Sequence, residues 1–356
     1  MIESPQQLIS KVLQSRQIDD FGWARLEKPF SFELYEAWLN EKRHGDMFYL
    51  EKQAPLKKDP REWWPQARSA IVVTLHYHPT PQPAETPLKA SRVALYARNE
   101  DYHDWFQKRL EELCQELRAL FPTEHFLAAT DSFPVLERDL AARAGLGWVG
   151  KNTCLIHEKK GSFFFIGEIL TSLDFDQYGV LQPDRCGTCT KCIDICPTQA
   201  IVKPRELDAT RCISYLNIES KKPPPLQLRP LIGDWLFGCD LCQTVCPWNE
   251  KAFGKEKMRD EREPTRSRLE LIEELKWILT SDDETIETTL KKTPLLRRGA
   301  YGLKKNALIV AANQKLVELT PVIEQLKNQL VLKNQKNEWL FEVCEWSLNQ
   351  LLTNQS

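Results

Sequence analysis

Eight of the eleven cysteines in this 356-residue sequence fall within residues 186–246. Residues 186–197 read C-x2-C-x2-C-x3-C-P, and residues 239–247 read C-x2-C-x3-C-P, which lacks one member of the same pattern. We assign Cys212, which lies between the two runs, as the missing member. Clustered cysteines in a reducing compartment are more often metal ligands than disulfide partners, so the spacing predicts a metal centre.

The spacing is that of bacterial ferredoxins, in which one loop supplies three ligands of a [4Fe–4S] cluster and the cysteine before proline ligates the other cluster. It therefore predicts two [4Fe–4S] clusters. The first would be held by Cys186, Cys189, Cys192 and Cys246. The second would be held by Cys196, Cys212, Cys239 and Cys242. Structural zinc is the alternative, but zinc gains nothing from a third x2 cysteine followed by x3-Cys-Pro. Three cysteines outside the pattern are interpreted as small core residues: Cys114, Cys154 and Cys344.

Such clusters carry single electrons at low potential and break no bond by themselves. The preceding segment, residues 1–180, is far longer than a ferredoxin needs, so we expect it to contain the electron acceptor. The net charge of −2 excludes a uniformly basic surface for nucleic acid but allows a local one. No apolar stretch approaches the roughly 18 residues that cross a bilayer, and the N-terminal residues lack the apolar core of a secretory signal. We therefore expect a cytoplasmic protein with no membrane contact.

Both helices and strands should position the metal centres and the electron acceptor. The pattern predicts a helix over 101–120, buried strands over 70–75 and 163–170, and a loop over 78–87, which together indicate an α+β domain with a mixed sheet over 1–180. A small domain over 181–250 would have its metal centres as its core, and three prolines at 223–225 exclude helix and central strand there. A charged linker over 254–268 would lead to amphipathic helices at 301–312, 316–330 and 339–351, which suggest a helical-repeat domain over 265–356.

Residues 145–150 read G-L-G-W-V-G, which matches the dinucleotide-binding pattern G-x-G-x-x-G. That pattern requires a preceding strand and a following helix. Residues 135–144 are instead typical of a helix, and residues 152–156 of a strand. We therefore interpret Gly145 as the residue that ends a helix and not as part of a nucleotide site.

Several segments of the sequence resemble one known family. Residues 131–152, the cysteine pattern, residues 211–219 and residues 238–249 closely resemble the epoxyqueuosine reductase family of iron–sulfur, cobalamin-dependent enzymes. The likeness is strong over 9–249 and looser in the helical part, which resembles the HEAT-like appendage of some members. It implies a nitroreductase-like domain that holds base-off cobalamin without a protein histidine ligand, and a ferredoxin-like domain that supplies electrons. The implied reaction, the last step of queuosine synthesis, reduces epoxyqueuosine at the wobble position of a tRNA anticodon stem-loop. An external low-potential electron donor and a monomer are also implied.

The resemblance assigns roles to individual residues. Asp131 matches the family's proton donor, although an aspartate before a helix is often only its N-cap. His103 is interpreted as a structural hydrogen-bonding residue. The positions that match the family's cobalamin contacts, besides Asp131, are Lys57 (usually arginine in the family), Tyr96, Arg98, Asn152, Leu155, Ile166, Ser214 and Asp240.

Residues 291–305 contain six basic side chains and no acidic one. Such a run is usually a solvated helix face, but with tRNA as the implied substrate it predicts phosphate contacts. The residues predicted to bind tRNA are Arg297, Arg298, Lys304 and Lys305, together with Lys221 and Lys222.

Two other functions fit parts of the sequence. Reductive dehalogenases share cobalamin and two cubane clusters, but typically carry a twin-arginine leader that this sequence lacks. A ferredoxin-type electron carrier with an RNA-binding appendage would account for the cysteines and the helices without any catalysis.

Overall fold

The computed structural model describes residues 3–18, 20–77, 88–332 and 338–353. The loop predicted over 78–87 lies outside these ranges. The helices up to residue 143 are α1 Pro5–Ser15, α2 Phe32–Asn40, α3 Phe48–Lys58, α4 Tyr102–Leu120 and α5 Glu137–Arg143. The strands up to residue 171 are β1 Phe21–Arg25, β2 Ser69–His76, β3 Arg92–Val93, β4 Phe126–Ala129, β5 Trp148–Val149, β6 Leu155–Ile156 and β7 Phe164–Thr171.

A four-stranded sheet of order β1-β2-β7-β4 forms the centre of the N-terminal part. The buried strands predicted from the sequence are confirmed as β2 and β7. The prediction of a mixed sheet is wrong, because all three pairings in this sheet are antiparallel. Strands β2 and β7 are runs of apolar residues because helices cover both faces of the sheet. Helices α1 and α4 pack on one face, and α5 packs on the other.

The first turn of helix α4, which contains Tyr102 and His103, lies at the edge of this sheet. The side chain of Asp101 caps the helix by accepting a hydrogen bond from the backbone N–H of His103. One face of the helix carries Phe106, Leu110, Leu113 and Leu117 into the core, as the periodicity predicted, whereas Leu120, the fifth residue at that spacing, is 48% exposed. The helix therefore holds Tyr102 and His103 in fixed positions.

The cysteine-rich segment consists of short elements. Its helices are α6 Lys191–Asp194, α7 Ile213–Ile218, α8 Leu241–Thr244 and α9 Pro247–Phe253, and its strands are β8 Ile201–Lys203, β9 Glu206–Leu207 and β10 Trp235–Phe237. Strand β10 pairs in parallel with β3, which ties this segment to the N-terminal part. The prediction that a helix ends at Gly145 is confirmed, because α5 ends before Gly145, whose φ is +80°.

The prediction of a charged linker over 254–268 is wrong for much of that range. Residues 255–262 form helix α10 Lys255–Arg262. Met258 is fully buried, and Nη1 of Arg262 donates to the carbonyl of Thr244 at 2.6 Å. One buried methionine and an arginine that reaches the cysteine loop hold the segment against the fold, which charge patterning alone could not indicate.

The last part of the chain is helical: α11 Arg268–Thr280, α12 Asp283–Leu290, α13 Gly299–Asn313, α14 Thr320–Leu332 and α15 Glu338–Leu352. The three predicted helices correspond to α13, α14 and α15. Helix α13 is central, and it packs on α11, α15 and β10 in one hydrophobic cluster that also contains Ile213 and Trp235. Among the described residues, no helix is both long enough and apolar enough to span a membrane.

Candidate active site and cysteine centre

Asp131 lies just after β4, and its carboxylate faces the first turn of α4. Its Oδ2 accepts a hydrogen bond from the Tyr102 hydroxyl at 2.7 Å and lies 3.0 Å from Nε2 of His103. The residue that caps α5 is Leu136, so the interpretation of Asp131 as a helix cap is wrong. The Asp131 side chain keeps 42% of its surface exposed, although protein surrounds it on several sides. We call the partly exposed region around this carboxylate, next to Tyr102 and His103, the Asp131 cavity.

His103 is held between two carboxylates. Its Nδ1 lies 2.6 Å from Oδ1 of Asp101, and its Nε2 faces Asp131. Hydrogen bonding to Asp131 raises the pKa of His103 to about 9, because this bond and the one to Asp101 outweigh the opposing effect of burial. Burial would raise the pKa of Asp131, but the bonds from His103 and Tyr102 outweigh it and hold that pKa below its usual value. Near neutral pH the pair is therefore imidazolium and carboxylate.

The aromatic residues around this pair fix its orientation. The Tyr102 ring stacks on Phe165 of β7, with centroids 4.2 Å apart and an interplanar angle of 13°. Tyr96, a predicted cobalamin contact, meets the Tyr102 ring edge-on at 6.1 Å. Because Phe165 belongs to β7, one of the two inner strands, the Asp131 carboxylate is positioned by the sheet as well as by α4.

Two carboxyl groups that the sequence analysis missed lie behind Asp131. Glu168 on β7 is fully buried, and neither of its oxygens has a hydrogen-bond partner in the described part of the chain. Burial, and next the nearby charge of Glu137, raise the pKa of Glu168 well above its usual value. Burial, and then Asp131, raise the pKa of Glu137 to about 8. A signal was present in the sequence, since Glu168 is the one charged residue in the apolar run 163–170.

Lys57, another predicted cobalamin contact, is buried beside these carboxyl groups. Its Nζ donates to the carbonyl of Val135 at 3.0 Å, and burial lowers its pKa, against the attraction of Glu137 and Glu168. Its ammonium group is thus committed to the segment that links Asp131 to α5. The structure brings Lys57 and Asp131 to the same region.

The remaining predicted contacts connect this region to the cysteine loops. Oδ2 of Asp240 accepts from the Leu95 N–H at 2.6 Å, and burial raises the pKa of Asp240 to about 6. Nδ2 of Asn152 donates to the carbonyl of Cys242 at 3.3 Å. Arg98 forms an ion pair of 2.8 Å with Glu261 of α10. The other three predicted contacts are Leu155, buried on β6, Ile166, half-buried on β7, and Ser214, half-buried on α7.

The eight patterned cysteines separate into two groups. Cys246 packs against Cys186, and its pKa is raised to about 11, first by burial and also by Cys186 and Cys192. Burial, and next the charges of Cys186 and Cys189, raise the pKa of Cys192 to about 11. Electrostatic interactions thus link Cys246 with Cys186 and Cys192, and Cys192 with Cys186 and Cys189.

The second group forms around Cys212. Burial raises the pKa of Cys212, and Cys196 and Cys154 raise it further. Cys239 and Cys242 have pKa values well above the usual range, through burial and through the charge of Cys212 among others. Cys154, interpreted from the sequence only as a core residue, lies beside this group. Buried thiols that repel one another as thiolates favour binding to cations, because a bound metal centre stabilises the deprotonated form.

The structure corrects part of the predicted tRNA surface. Lys305 is fully buried, and its Nζ donates to the Leu216 carbonyl at 2.7 Å. Lys304 is also buried and forms an ion pair of 3.0 Å with Asp283. Neither side chain can reach a phosphate while α13 stays packed, so the prediction is wrong for both. Arg298 is half-buried beneath the start of α13, and burial lowers its pKa.

The other predicted basic residues do face solvent. Arg297 is exposed in the 3-10 turn Pro294–Arg298, and its Nε donates to Glu219 at 2.7 Å. Lys221 and Lys222 are exposed two and three residues after Glu219. The charge of Arg297 acts on Asp131, so this surface borders the Asp131 cavity.

Comparison with known proteins agrees with both the Asp131 site and the cysteine centre. Residues 185–249 match the family described as "4Fe-4S double cluster binding domain", which favours iron–sulfur clusters over structural zinc. Residues 57–132 match the family described as "Epoxyqueuosine reductase QueG, DUF1730". The chain is thus an iron–sulfur oxidoreductase with a double-cluster domain.

Relatives cover nearly the whole chain. The epoxyqueuosine reductase of Pseudomonas aeruginosa is 38% identical over 319 residues, which are 88% of this chain and 86% of the relative. That of Francisella cf. novicida is 33% identical over 98% of this chain and 97% of its own. The solved epoxyqueuosine reductase of Streptococcus thermophilus superposes with a TM-score of 0.83 at 23% identity, over 98% of this chain and 90% of that one. This protein belongs to the epoxyqueuosine reductase family.

Proposed function

We propose that this protein reduces epoxyqueuosine in the wobble position of tRNA to queuosine, the last step of queuosine synthesis. The observation that carries the proposal is the His103–Asp131 pair, which lies near Tyr96 as does Asp240 of the second cysteine run, in a chain of this family. A solved epoxyqueuosine reductase with a TM-score of 0.73 and 24% identity contains an epoxyqueuosine-modified stem-loop of tRNA-Tyr. The reaction consumes two electrons and two protons, breaks the epoxide C–O bonds, forms a C=C bond and releases water.

Two [4Fe–4S] clusters would supply the electrons one at a time. Cys186, Cys189, Cys192 and Cys246 would hold the first. Cys196, Cys212, Cys239 and Cys242 would hold the second. The grouping of the thiols described above supports this division, in which each cysteine before proline ligates the cluster of the other run. An external low-potential donor would refill the clusters.

The cavity residues fit cobalamin. Amide side chains surround its corrin ring, and such groups both donate and accept hydrogen bonds. Nε1 of Trp63 and Oε1 of Glu137 are buried and find no hydrogen-bond partner among the residues described, so they offer a donor and an acceptor to such amides. Both ring nitrogens of His103 face carboxylates, which agrees with binding without this histidine as a cobalt ligand.

Cobalamin in its base-off form would supply a strongly reducing cobalt centre. The residues that would hold it, with Asp131, are Lys57, Tyr96, Arg98, Asn152, Leu155, Ile166, Ser214 and Asp240. Most of their polar groups are already engaged by backbone, as described above for Asp240 and Asn152. These side chains therefore shape the cavity more than they supply new hydrogen bonds.

Asp131 would deliver a proton to the departing epoxide oxygen. An epoxide oxygen leaves readily only when protonated, so an acid at this position has a clear task. Since Asp131 is ionised at rest, we infer that its proton comes through His103, whose Nε2 is 3.0 Å away. Transfer of that proton leaves a neutral imidazole, which Asp101 still orients through Nδ1.

The proposal also covers the division of the chain into domains. We infer a nitroreductase-like domain over 1–180, a ferredoxin-like domain over 181–250 and a HEAT-like tRNA-binding domain over 265–356, in a monomer. The antiparallel sheet, the short elements around the cysteines and the successive helices α11–α15 support this division.

The test is the modification state of tRNA in a strain that lacks this gene. Epoxyqueuosine should accumulate there, and the parent gene should restore queuosine. The Asp131→Asn variant should still bind both cofactors, while its single-turnover rate falls by ~10²–10⁴. Normal queuosine in the deletion strain would overturn the proposal.

A further inference from the structure

Two adjacent aromatic side chains at the start of α3 face solvent. Phe48 is 51% exposed and Tyr49 is 43% exposed. Single exposed apolar residues are common on protein surfaces and need no explanation. A neighbouring pair of large rings beside a reactive cavity is different, because aromatic faces at such places bind planar groups.

Contacts fix this pair beside the segment that carries Lys221. The backbone N–H of Asp46 donates to the Tyr215 hydroxyl at 2.7 Å, and the N–H of Lys221 donates to Oδ2 of Asp46 at 3.0 Å. The ring of fully buried His44 meets Phe48 edge-on at 6.1 Å. The start of α3 is therefore anchored, and the exposed ring of Phe48 rests on a buried one.

Basic and acidic groups both surround the pair: Arg297, Lys221 and Lys222 are positive, whereas Asp46, Glu219 and Asp131 are negative. Tyr49 interacts electrostatically with Arg297, Glu219 and Asp131. Arg297 bonds to Glu219, and the exposed Lys221 and Lys222 follow Glu219 in the chain. Aromatic faces combined with basic groups along one path are the features by which proteins bind single-stranded nucleic acid.

We propose that Phe48 and Tyr49 form a stacking platform for unpaired anticodon-loop nucleotides next to the modified nucleoside, while Arg297, Lys221 and Lys222 bind the neighbouring phosphates. This inference rests on the function proposed above. A protein electron donor could also use the basic groups, but it would not require two aromatic faces at the cavity that takes the nucleoside. The platform holds the loop so that only one nucleoside enters the cavity.

The experiment measures binding of the tRNA-Tyr stem-loop to the cofactor-loaded enzyme. The RNA carries a fluorescent purine analogue beside the modified position, whose emission is quenched by stacking. Phe48→Ala should weaken binding by about 5- to 100-fold and abolish the quenching, because base–aromatic stacking has this strength. The salt dependence of binding should stay unchanged, since no phosphate contact is lost.

Two variants supply the controls. Phe48→Leu keeps an apolar side chain without an aromatic face, so it should recover little of the affinity. Leu120→Ala removes an apolar side chain of similar exposure, 48%, at the far end of α4, about 27 Å along the helix from Tyr102, and should bind as the parent does. Equal binding by Phe48→Ala and Leu120→Ala would overturn the proposal, and so would a Phe48→Leu variant that binds normally.

The remaining outcomes separate this platform from the proposed reaction. If the parent reduces the epoxide while Phe48→Ala keeps its affinity and its quenching, the platform alone fails. If the parent binds the RNA through Phe48 but never reduces the epoxide, the proposed reaction alone fails. If Phe48→Ala binds RNA normally but slows cluster reduction by a protein donor, the surface serves the donor and the proposal is wrong.

Discussion

Nε2 of His103 lies 3.0 Å from Oδ2 of Asp131, and Nδ1 of the same ring lies 2.6 Å from Asp101. One imidazolium thus bridges a helix-capping carboxylate and a cavity carboxylate. Protonation of the ring is stabilised by both acids, which explains why its pKa rises to about 9 although the ring is half-buried. The proton that Asp131 lacks at rest is present one hydrogen bond away.

His103→Gln should therefore change the pH profile of turnover. In the parent, single-turnover rates should fall as the pH rises through about 9, where His103 loses its proton. Glutamine can still donate a hydrogen bond to Asp131 but carries no transferable proton. The variant should be slow at every pH and should lack that decline. A pH series of single-turnover measurements checks this expectation.

Stability gives an independent measure of the same pair. The pKa of His103 is raised on folding, so its contribution is fully present below about 6.5 and is lost as the pH rises through about 9. The difference in unfolding free energy between the parent and His103→Gln should therefore shrink over this range in urea titrations. A difference that is constant with pH would contradict the imidazolium assignment.

Cys246→Ser should damage one cluster selectively. Cys246 lies among the thiols of Cys186 and Cys192, more than forty positions away in sequence, so its loss should lower iron and sulfide content and alter the spectrum of the first cluster. Because metal binding contributes to folding, the variant should also melt at a lower temperature. Metal analysis and electron paramagnetic resonance check the outcome.

Cys154→Ser is the matched control for that substitution. Cys154 lies beside the second group of thiols but belongs to neither predicted ligand set. It should keep the full iron content. Full iron and an unchanged spectrum in Cys246→Ser, or loss of a cluster in Cys154→Ser, would show that the ligand sets are assigned wrongly.

Local spacing accounts for the parts of the molecule that the sequence predicted correctly. The two cysteine runs, the α4 periodicity and the helix end at Gly145 each depend on residues that lie close together in the sequence. Such features follow from ligand geometry, helical period and backbone conformation, and they need no knowledge of the tertiary packing.

Packing decided the features that the sequence did not predict. Lys304 and Lys305 look like a solvated face, but α13 is surrounded by α11, α15 and β10, so both lysines are buried and bonded. The direction of the sheet strands depended in the same way on how distant segments meet. The pairing of His103 with Asp131 joins two segments that are 28 positions apart, and spacing alone does not indicate it.

Glu168→Gln should make the protein less sensitive to alkaline pH. Burial raises the pKa of Glu168 well above 4.5, so between 4.5 and that value the folded state holds a proton that the unfolded chain releases. The parent should therefore lose stability as the pH rises, by up to about 1.4 kcal/mol per pH unit for one such group. Glutamine stays neutral, so the variant should gain relative stability from about pH 5 to about pH 8.

Urea titrations of both proteins at these two pH values measure the effect. Glu36→Gln, on the exposed side of α2, is the control for the chemical change alone and should follow the parent. If the parent and Glu168→Gln lose stability in parallel, the buried carboxyl is already ionised and the assignment of a proton to it is wrong.

Arg297→Ala and Lys305→Met should separate RNA binding from folding. Arg297 is exposed beside the Asp131 cavity, so its loss should weaken stem-loop binding and reduce the salt slope by ~0.7–0.9 if it neutralises one phosphate. Lys305 is buried and bonded to the Leu216 carbonyl, so Lys305→Met should leave that slope unchanged. It should instead alter stability by about 1–3 kcal/mol through the carbonyl left unpaired.

The pH dependence of Lys305→Met supplies the sign of this effect. Burial lowers the pKa of Lys305 well below 10.5, so above that lowered value the unfolded chain holds a proton that the folded state does not. The parent should therefore gain stability as the pH rises towards 10.5, and Lys305→Met should not show this gain. A Lys305→Met variant with normal stability and a reduced salt slope would place this lysine on the RNA surface after all and would require α13 to move when RNA binds.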